Sequence, residues 1–400
     1  MAFPSSFWWG TAAASTQTEG AAPASDWRAA ERAGLVPPSG DGNGFATGFA
    51  DDLALFAGHG LTHHRLTLEW ARLEPEPGRH DTVAVEHYRT VLEAARDAGV
   101  SPWACLHHFS SPGWFSVDEH GFPDKRSRTY FWPRHVDFVA DTFGDLVAGW
   151  VPIAEPGAHA RNGWLGGGHP PHVDDRQKFP EALEALHLAN FDAARRLRGL
   201  GRPVAAVHDL SPLRSADASA EADTWRRMLD DVQLTCWVDA LRDGSLTVPG
   251  RAAVEQPWFR DAFDLVGISY THAIGVHGDG SFSPYPADAR VGPLGFAPWS
   301  DGLAEVLHRV AELLPDQPLL VAAHGVATDD DRWRTDLLRR SMELVGEALD
   351  DGIDVRGFFH ATGIDAYDWR RGFQAPSGLF DRDRDAKPSA ALAAEVARGA

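Results

Sequence analysis

Glu155 stands at the end of the apolar run Trp150-Val151-Pro152-Ile153-Ala154 and directly before Pro156. A carboxyl group at such an edge has apolar neighbours and little water. Lost hydration penalises the charged form, raises the pKa and suits the group to donating a proton near neutrality. The competing reading is an ion-pair partner for Arg65 or another base, and spacing alone leaves both open. Similar polar groups close other apolar runs: Gln17, Arg65, His108, His208 or Asp209, Tyr270 and the region around His360. One run ends differently. Leu319-Leu320-Val321-Ala322 arrives at Ala323, which offers no chemistry, and then at His324-Gly325. Successive strand residues point to opposite faces, so His324 need not fill the space at 323. A second acid/base role for His324 therefore competes with a histidine hydrogen-bonded among loops.

Two other chemistries are weak in this sequence. His107 and His108 could join His63 and His64 around a metal, but no H-E-x-x-H or Cys/His cluster supports that, and no metal or cofactor is expected. No G-x-S-x-G follows a strand, which leaves a Ser/His/Asp triad without its usual setting.

The elements that must position these groups alternate along the chain. Apolar strand-type runs are read at 7–14, 62–70, 102–109, 150–154, 204–207, 265–269, 319–323 and 355–359. Helical spacing falls between and after them, at 51–59, 83–98, 133–146, 181–197, 221–241, 302–314, 333–349 and 388–398. Strand, polar or Gly-rich break, then helix is the beat of a (β/α)8 barrel, whose working residues sit at the carboxyl ends of the strands. A doubly wound sheet competes, but no G-x-G-x-x-G follows the first strand. The α/β expectation is one TIM barrel domain over 1–400, with linkers 21–48, 110–132, 165–179 and 276–299 as long loops on the C-terminal face.

Bulk properties narrow the partners. A net charge of −20 argues against nucleic acid and anionic membrane surfaces, which attract basic patches. With 44% of residues hydrophobic, a large core is expected rather than disorder. Fifteen tryptophans could stack on flat ligand faces, although most are read as packing residues. Cys105 and Cys236 are far apart in apolar settings and read as reduced packing residues of a cytoplasmic protein. Residues 1–10 lack the pattern of a signal peptide, and no apolar run is long enough to span a bilayer.

Several stretches together resemble the family 1 glycoside hydrolases, the β-glucosidase-like retaining enzymes. They are Phe3-Pro4-Ser5-Ser6-Phe7-Trp8-Trp9-Gly10-Thr11-Ala12 with Gln17 and Glu19-Gly20; His64 to Arg72; Leu106-His107-His108-Phe109 with Pro112; and Trp150 to Pro156. Phe263 to Tyr270, Gly357-Phe358-Phe359-His360, Asp365 to Trp369, Gly378-Leu379 and Lys387-Pro388-Ser389 continue the match in order. The resemblance implies the barrel fold and a small-molecule glycoside substrate. It also implies two carboxylates flanking a glycosidic bond, one protonating the leaving oxygen and one attacking the anomeric carbon. Glu155 takes the acid/base position. Gln17, Arg65, His108, Tyr270, Asp368 and Trp369 take substrate-binding positions.

The sequence departs from that pattern where the chemistry is densest. Ala323-His324-Gly325 stands where the family has Glu-Asn-Gly, so Ala323 marks the position of the lost nucleophile. Ala154 replaces a sugar-holding asparagine, Thr271 a tyrosine, Ala361 a tryptophan and Asp368 a glutamate. Each lost hydrogen-bond partner leaves a sugar hydroxyl unpaired at about 1–3 kcal/mol. Arg65 loses the carboxylate it would neighbour, and a guanidinium stays charged. Either a substrate carboxylate or phosphate answers it, or an internal partner such as Asp209, Glu155 or Asp368 does. The expected function is a redirected enzyme in which Glu155 transfers a proton on a glycoside- or acetal-like specialised metabolite, instead of ordinary retaining hydrolysis. The alternatives are a β-glycoside hydrolase working by inversion or substrate assistance, and a non-catalytic glycan- or metabolite-binding protein.

Overall fold

The computed structural model describes residues 3–399, so Met1, Ala2 and Ala400 of the expected 1–400 unit lie outside the described residues. Eight parallel strands form one sheet: β1 (Trp8–Ala12), β2 (His63–Thr67), β3 (Ser101–His107), β4 (Gly149–Ile153), β5 (Ala205–Asp209), β6 (Leu265–Tyr270), β7 (Leu319–His324) and β8 (Val355–His360). Each strand pairs with its sequence neighbours, and β1 pairs with β8. The remaining seam, β4 to β5, is joined by a single parallel bridge between Trp150 and Val204. The result is a nearly closed (β/α)8 barrel, as the alternating pattern predicts.

Period-2 alternation decides which side chains fill the axis. Trp103, Cys105, Val151, Val207, Leu265, Leu320, Ala322 and Phe359 form one inner cluster with Ala12, Ala154 and Ala205. The residues between them, such as Ala104, Val266, Ile268 and Val321, join the larger cluster under the helices. Packing across the axis is close. A Cβ on Gly267 would lie 2.8 Å from Val207 Cγ2 and 2.9 Å from the Ala322 Cβ, which is why that strand position carries no side chain.

The helices follow local signals. In Thr82–Asp97 the Asp81 carboxylate accepts from Val83 N and Ala84 N, a cap worth about 1 kcal/mol. That helix buries Tyr88, Val91, Leu92 and Ala95. Some expectations need correction. The helix read at 133–146 spans Lys125–Phe143, because Asp124 caps it well before Pro133 is reached. The long helix read at 221–241 is Ala220–Asp230, a wider turn at Asp231–Thr235, then Cys236–Asp243. The linker read at 276–299 contains part of a hairpin, Ala273–Val276 with Phe282–Tyr285, which adds to Leu213–Ser215 as a three-stranded sheet. Among the described residues no helix is long and apolar enough to cross a membrane.

Candidate active site

At the carboxyl end of the strands lies a chamber of about 210 Å³, lined by Gln17, Arg65, His108, Glu155, Ser269, Thr271, Ala323, Asp368 and Trp369 among others. An outer vestibule of about 500 Å³ adjoins it. Phe109, Glu155, Ser269, Thr271, Phe296, Asp368 and Trp369 are shared by both walls, and Arg161, His169, Asp209, His272, Phe282 and Arg370 belong to the vestibule alone.

Glu155 follows β4 with left-handed backbone angles, φ 55° and ψ 54°. Such a conformation costs a non-glycine residue on the order of 1–3 kcal/mol. It is held by the hydrogen bond from Glu155 N to Val207 O, 2.9 Å. The side chain is half-buried in the chamber wall, and Ser269 Oγ donates to its Oε1 at 2.6 Å. Burial is the largest cause of a raised Glu155 pKa, and the negative charge of Asp209 adds to it. The Ser269 hydrogen bond and the charges of Arg65 and Arg161 pull the other way. The balance favours the protonated acid relative to an ordinary glutamate.

A fault in strand register shapes the wall opposite. Val321 pairs with Ile268, but Ala323, not Ala322, pairs with Ser269. The extra residue is a bulge, a device that re-aims side chains. Ala322 therefore packs inside the barrel, yet Ala323 also lines the chamber. His324 is turned outward. Its Nδ1 bonds Tyr270 O at 2.9 Å and its Nε2 bonds Ser341 Oγ at 2.8 Å, in the helix Asp331–Asp350. Burial pushes its pKa down to about 4. His324 is also among the residues that line the chamber, but both of its nitrogens are engaged, and the acid/base role considered for it is corrected on that ground. Tyr270 needs the same correction. Its hydroxyl donates to Trp299 O and its ring is fully buried outside the barrel axis, so Ser269 and Thr271 reach the chamber in its place.

Arg65 projects inward from β2 and is 2% exposed, and among the described residues its Nε and Nη1 have no hydrogen-bond partner. Among the described residues none of the internal carboxylates considered for it hydrogen-bonds it, although its charge acts on Glu155. Asp209 pairs with Arg161 and accepts from Ala158 N, Glu155 takes the Ser269 hydroxyl, and Asp368 accepts from Arg370 N and Arg371 N. His108 lies beside Phe109 and Trp369, and its Nδ1 is buried without a partner. Burial, then the charge of Arg65, holds it well below the ordinary histidine range, so it is neutral. Gln17 is held at both ends: its Oε1 accepts from Ala14 N and its Nε2 donates to Tyr367 O. Of the pair read as His208 or Asp209, Asp209 faces the vestibule, whereas His208 stacks on Trp237 at 3.9 Å outside the barrel. His63, His64, His107 and His108 do not assemble: among the described residues no group of His, Cys, Asp or Glu side chains is arranged to hold a metal. Arg161 was missed by sequence reasoning. It follows Glu155 by six residues on a short helical segment and carries no signature of its own.

The family model for Glycosyl hydrolase family 1 matches residues 1–245 and 294–397. The chain belongs to that family. The intervening segment, 246–293, includes β6 and the hairpin that walls the vestibule. Among family members, the chain is 26% identical to a bifunctional beta-D-glucosidase/beta-D-fucosidase from Bifidobacterium breve, over 95% of this chain and 93% of that one. It is equally 26% identical to 6-phospho-beta-galactosidase 1 of Streptococcus pneumoniae, with the same coverage. A beta-glycosidase structure from Pyrococcus horikoshii superposes with a TM-score of 0.91 at 26% identity, covering 100% of this chain and 95% of that one. A family 1 b-glucosidase from Thermotoga maritima, at 20% identity, shares the fold with a TM-score of 0.88.

Proposed function

We propose that this family 1 barrel is an enzyme with a redirected active site. Glu155 is its general acid/base, acting on a glycoside- or acetal-like small metabolite, and the reaction is not ordinary retaining hydrolysis. Retaining hydrolysis needs a second carboxylate to attack the anomeric carbon. The observation that carries the reading is the chamber wall at the end of β7, where the bulge presents Ala323, whose methyl group cannot attack an anomeric carbon. Asp209 and Asp368 do not replace it, because Asp209 is tied to Arg161 and Asp368 caps its own turn. The raised pKa of Glu155 supports proton donation to a leaving or bridging oxygen. Gln17, His108 and Trp369 supply polar and aromatic contacts for an oxygen-rich ligand. A reaction in which the substrate itself closes the second step (cyclisation, elimination or transfer to an internal hydroxyl) needs only that set.

The test is a pair of assays on the intact protein. An aryl β-glucoside should give no turnover above background. Incubation with carbohydrate-derived metabolites should give a product, analysed by mass spectrometry, that disappears with Glu155→Gln. Clear aryl-glucoside hydrolysis abolished by Glu155→Gln would overturn the reading in favour of a hydrolase. Absence of any Glu155-dependent product would leave a binding protein.

A further inference from the structure

Arg65 is a buried cation at the chamber wall, and among the described residues no carboxylate bonds its guanidinium, although its charge acts on Glu155. The residue is 2% exposed, with Nε and Nη1 unpartnered among the described residues. Burying a charge without a partner is costly, and a side chain that cannot shed its proton cannot escape that cost by neutralising. The neighbours do not help. His108 is held neutral, and burial of Glu155 favours its uncharged form. Asp209 is paired with Arg161 and accepts from Ala158 N. Ala323 lines the same chamber with only a methyl group.

We infer that Arg65 is the receptor for a single carboxylate group of the substrate, seated in the chamber beside Ala323 and His108. A carboxylate fits better than a phosphate for two reasons. Its planar pair of oxygens matches the guanidinium fork bidentately. It also brings one negative charge to one positive charge, whereas a phosphate dianion would bring a second charge, and among the described residues the chamber lining holds no Lys or Arg besides Arg65 to balance it. His108, neutral and with a hydrogen to give, can donate to the same group. The inference deepens the redirected-site reading and rests on it in one respect, namely that no carboxylate of the chain occupies the space at 323. It names the substrate class as a carboxylate-bearing glycoside or acetal.

Binding and turnover separate the two claims. The intact protein is titrated by calorimetry with sodium acetate, with D-glucuronate against D-glucose, and with inorganic phosphate. The expected result is one acetate or glucuronate bound per chain, with glucose and phosphate at least roughly tenfold weaker. Arg65→Met should weaken carboxylate binding by roughly tenfold or more. Ala323→Glu should abolish it by giving Arg65 an internal partner, and this second variant decides the matter should Arg65→Met fold poorly. Carboxylate binding should also take up protons, because an anion beside Glu155 further favours its protonated form. Heats measured in buffers of different ionisation enthalpy report that uptake. Phosphate binding more tightly than carboxylate, or carboxylate affinity unchanged in both variants, overturns the assignment. Neither result depends on whether Glu155 is catalytic, which the product assays decide separately.

Discussion

Ser269 Oγ donates a 2.6 Å hydrogen bond to Glu155 Oε1, and the same serine is the register partner of Ala323 across the β6–β7 ladder. One hydroxyl thus joins the proton-transferring carboxyl to the wall where the chain offers only a methyl group. A hydroxyl that donates to a carboxylate stabilises the charged form. Ser269 therefore opposes the burial and the Asp209 charge that raise the Glu155 pKa.

Replacing that serine should move the titration in a known direction. Ser269→Ala removes a donor to the ionised form, so the Glu155 pKa should rise further above the ordinary glutamate value. A carbon-13 NMR titration of labelled glutamate carboxyls reads this directly. Any pH–rate profile limited by Glu155 in its protonated form should extend its plateau to higher pH in the variant. A carboxyl resonance that titrates at the same or lower pH in Ser269→Ala would show that the hydroxyl does not hold the carboxylate.

His324 provides a test that separates structure from chemistry. Both of its nitrogens are bonded, to Tyr270 O and Ser341 Oγ, on the helix side of β7. His324→Ala strands a buried hydroxyl and leaves a cavity. It should cost about 2–4 kcal/mol of stability in urea unfolding. Acetate affinity at 25 °C and the product profile of the folded fraction should stay as in the parent. Loss of product formation in a fully folded His324 variant would restore it to the chemistry.

Much of this arrangement was open to reading from the chain, and the residues that were not show why. The strand–helix beat, the placement of Glu155 before Pro156 and the inward setting of Arg65 follow from patterns of two and of three to four residues. Tyr270 could have been excluded by the same alternation. Leu265 and Gly267 face the axis, so Ser269 does too and Tyr270 does not. Ala323 is different. Strict alternation from Leu320 and Ala322 would turn it outward, and only the bulge, which depends on pairing with β6 far away in sequence, brings it to the chamber. The Arg161–Asp209 pair was hidden for the same kind of reason, since 48 residues separate its partners. The hairpin over the vestibule sits in a stretch whose Gly, Pro and Asp content reads as loop.

Stability should fall steeply in mild acid. His135, His159, His169, His324 and His360 are buried, and burial is the first cause holding each at about 3 or 4 instead of 6.5. Below pH 6.5 the unfolded chain binds protons at these sites and the folded chain does not, so their contribution is lost as pH falls toward 4. Glu19 and Asp26 act in the opposite sense. Burial raises both to about 7, so their contribution is full near pH 4 and lost as pH rises to 7. The imidazoles outnumber the carboxyls, so the net slope runs with the histidines. Thermal melts between pH 7.5 and 5 should show Tm dropping as pH drops. A flat or rising Tm over that range would mean that these rings are charged in the folded state.

Arg334 gives the last expectation, and it concerns how the chamber floor is fixed. This side chain is 1% exposed, on the helix Asp331–Asp350. It donates from Nε to Val326 O at 3.3 Å, and from Nη2 to Thr328 O at 2.6 Å and Pro376 O at 2.9 Å, and it pairs with Asp331 through Nη1. Asp331 in turn accepts from Ser389 N and Oγ at 2.8 and 2.9 Å. One guanidinium therefore ties the turn after β7, which lines the chamber at Val326 and Ala327, to the segment around Pro376 and to the last helix. Arg334→Met keeps most of the volume but strands several carbonyls and a half-compensated Asp331. Breaking a buried ion pair from one side costs about 3–5 kcal/mol, and a loss of that size in the unfolding free energy, read from the lowered urea midpoint, is expected. The damage should not stay at the surface. Because the freed turn follows Ala323 and His324 directly, the folded fraction of Arg334→Met should also bind acetate more weakly than the parent, with Arg65 itself untouched. Unaltered acetate affinity alongside the stability loss would confine Arg334 to holding the helices, and would place the positioning of the chamber wall in the β6–β7 bulge alone.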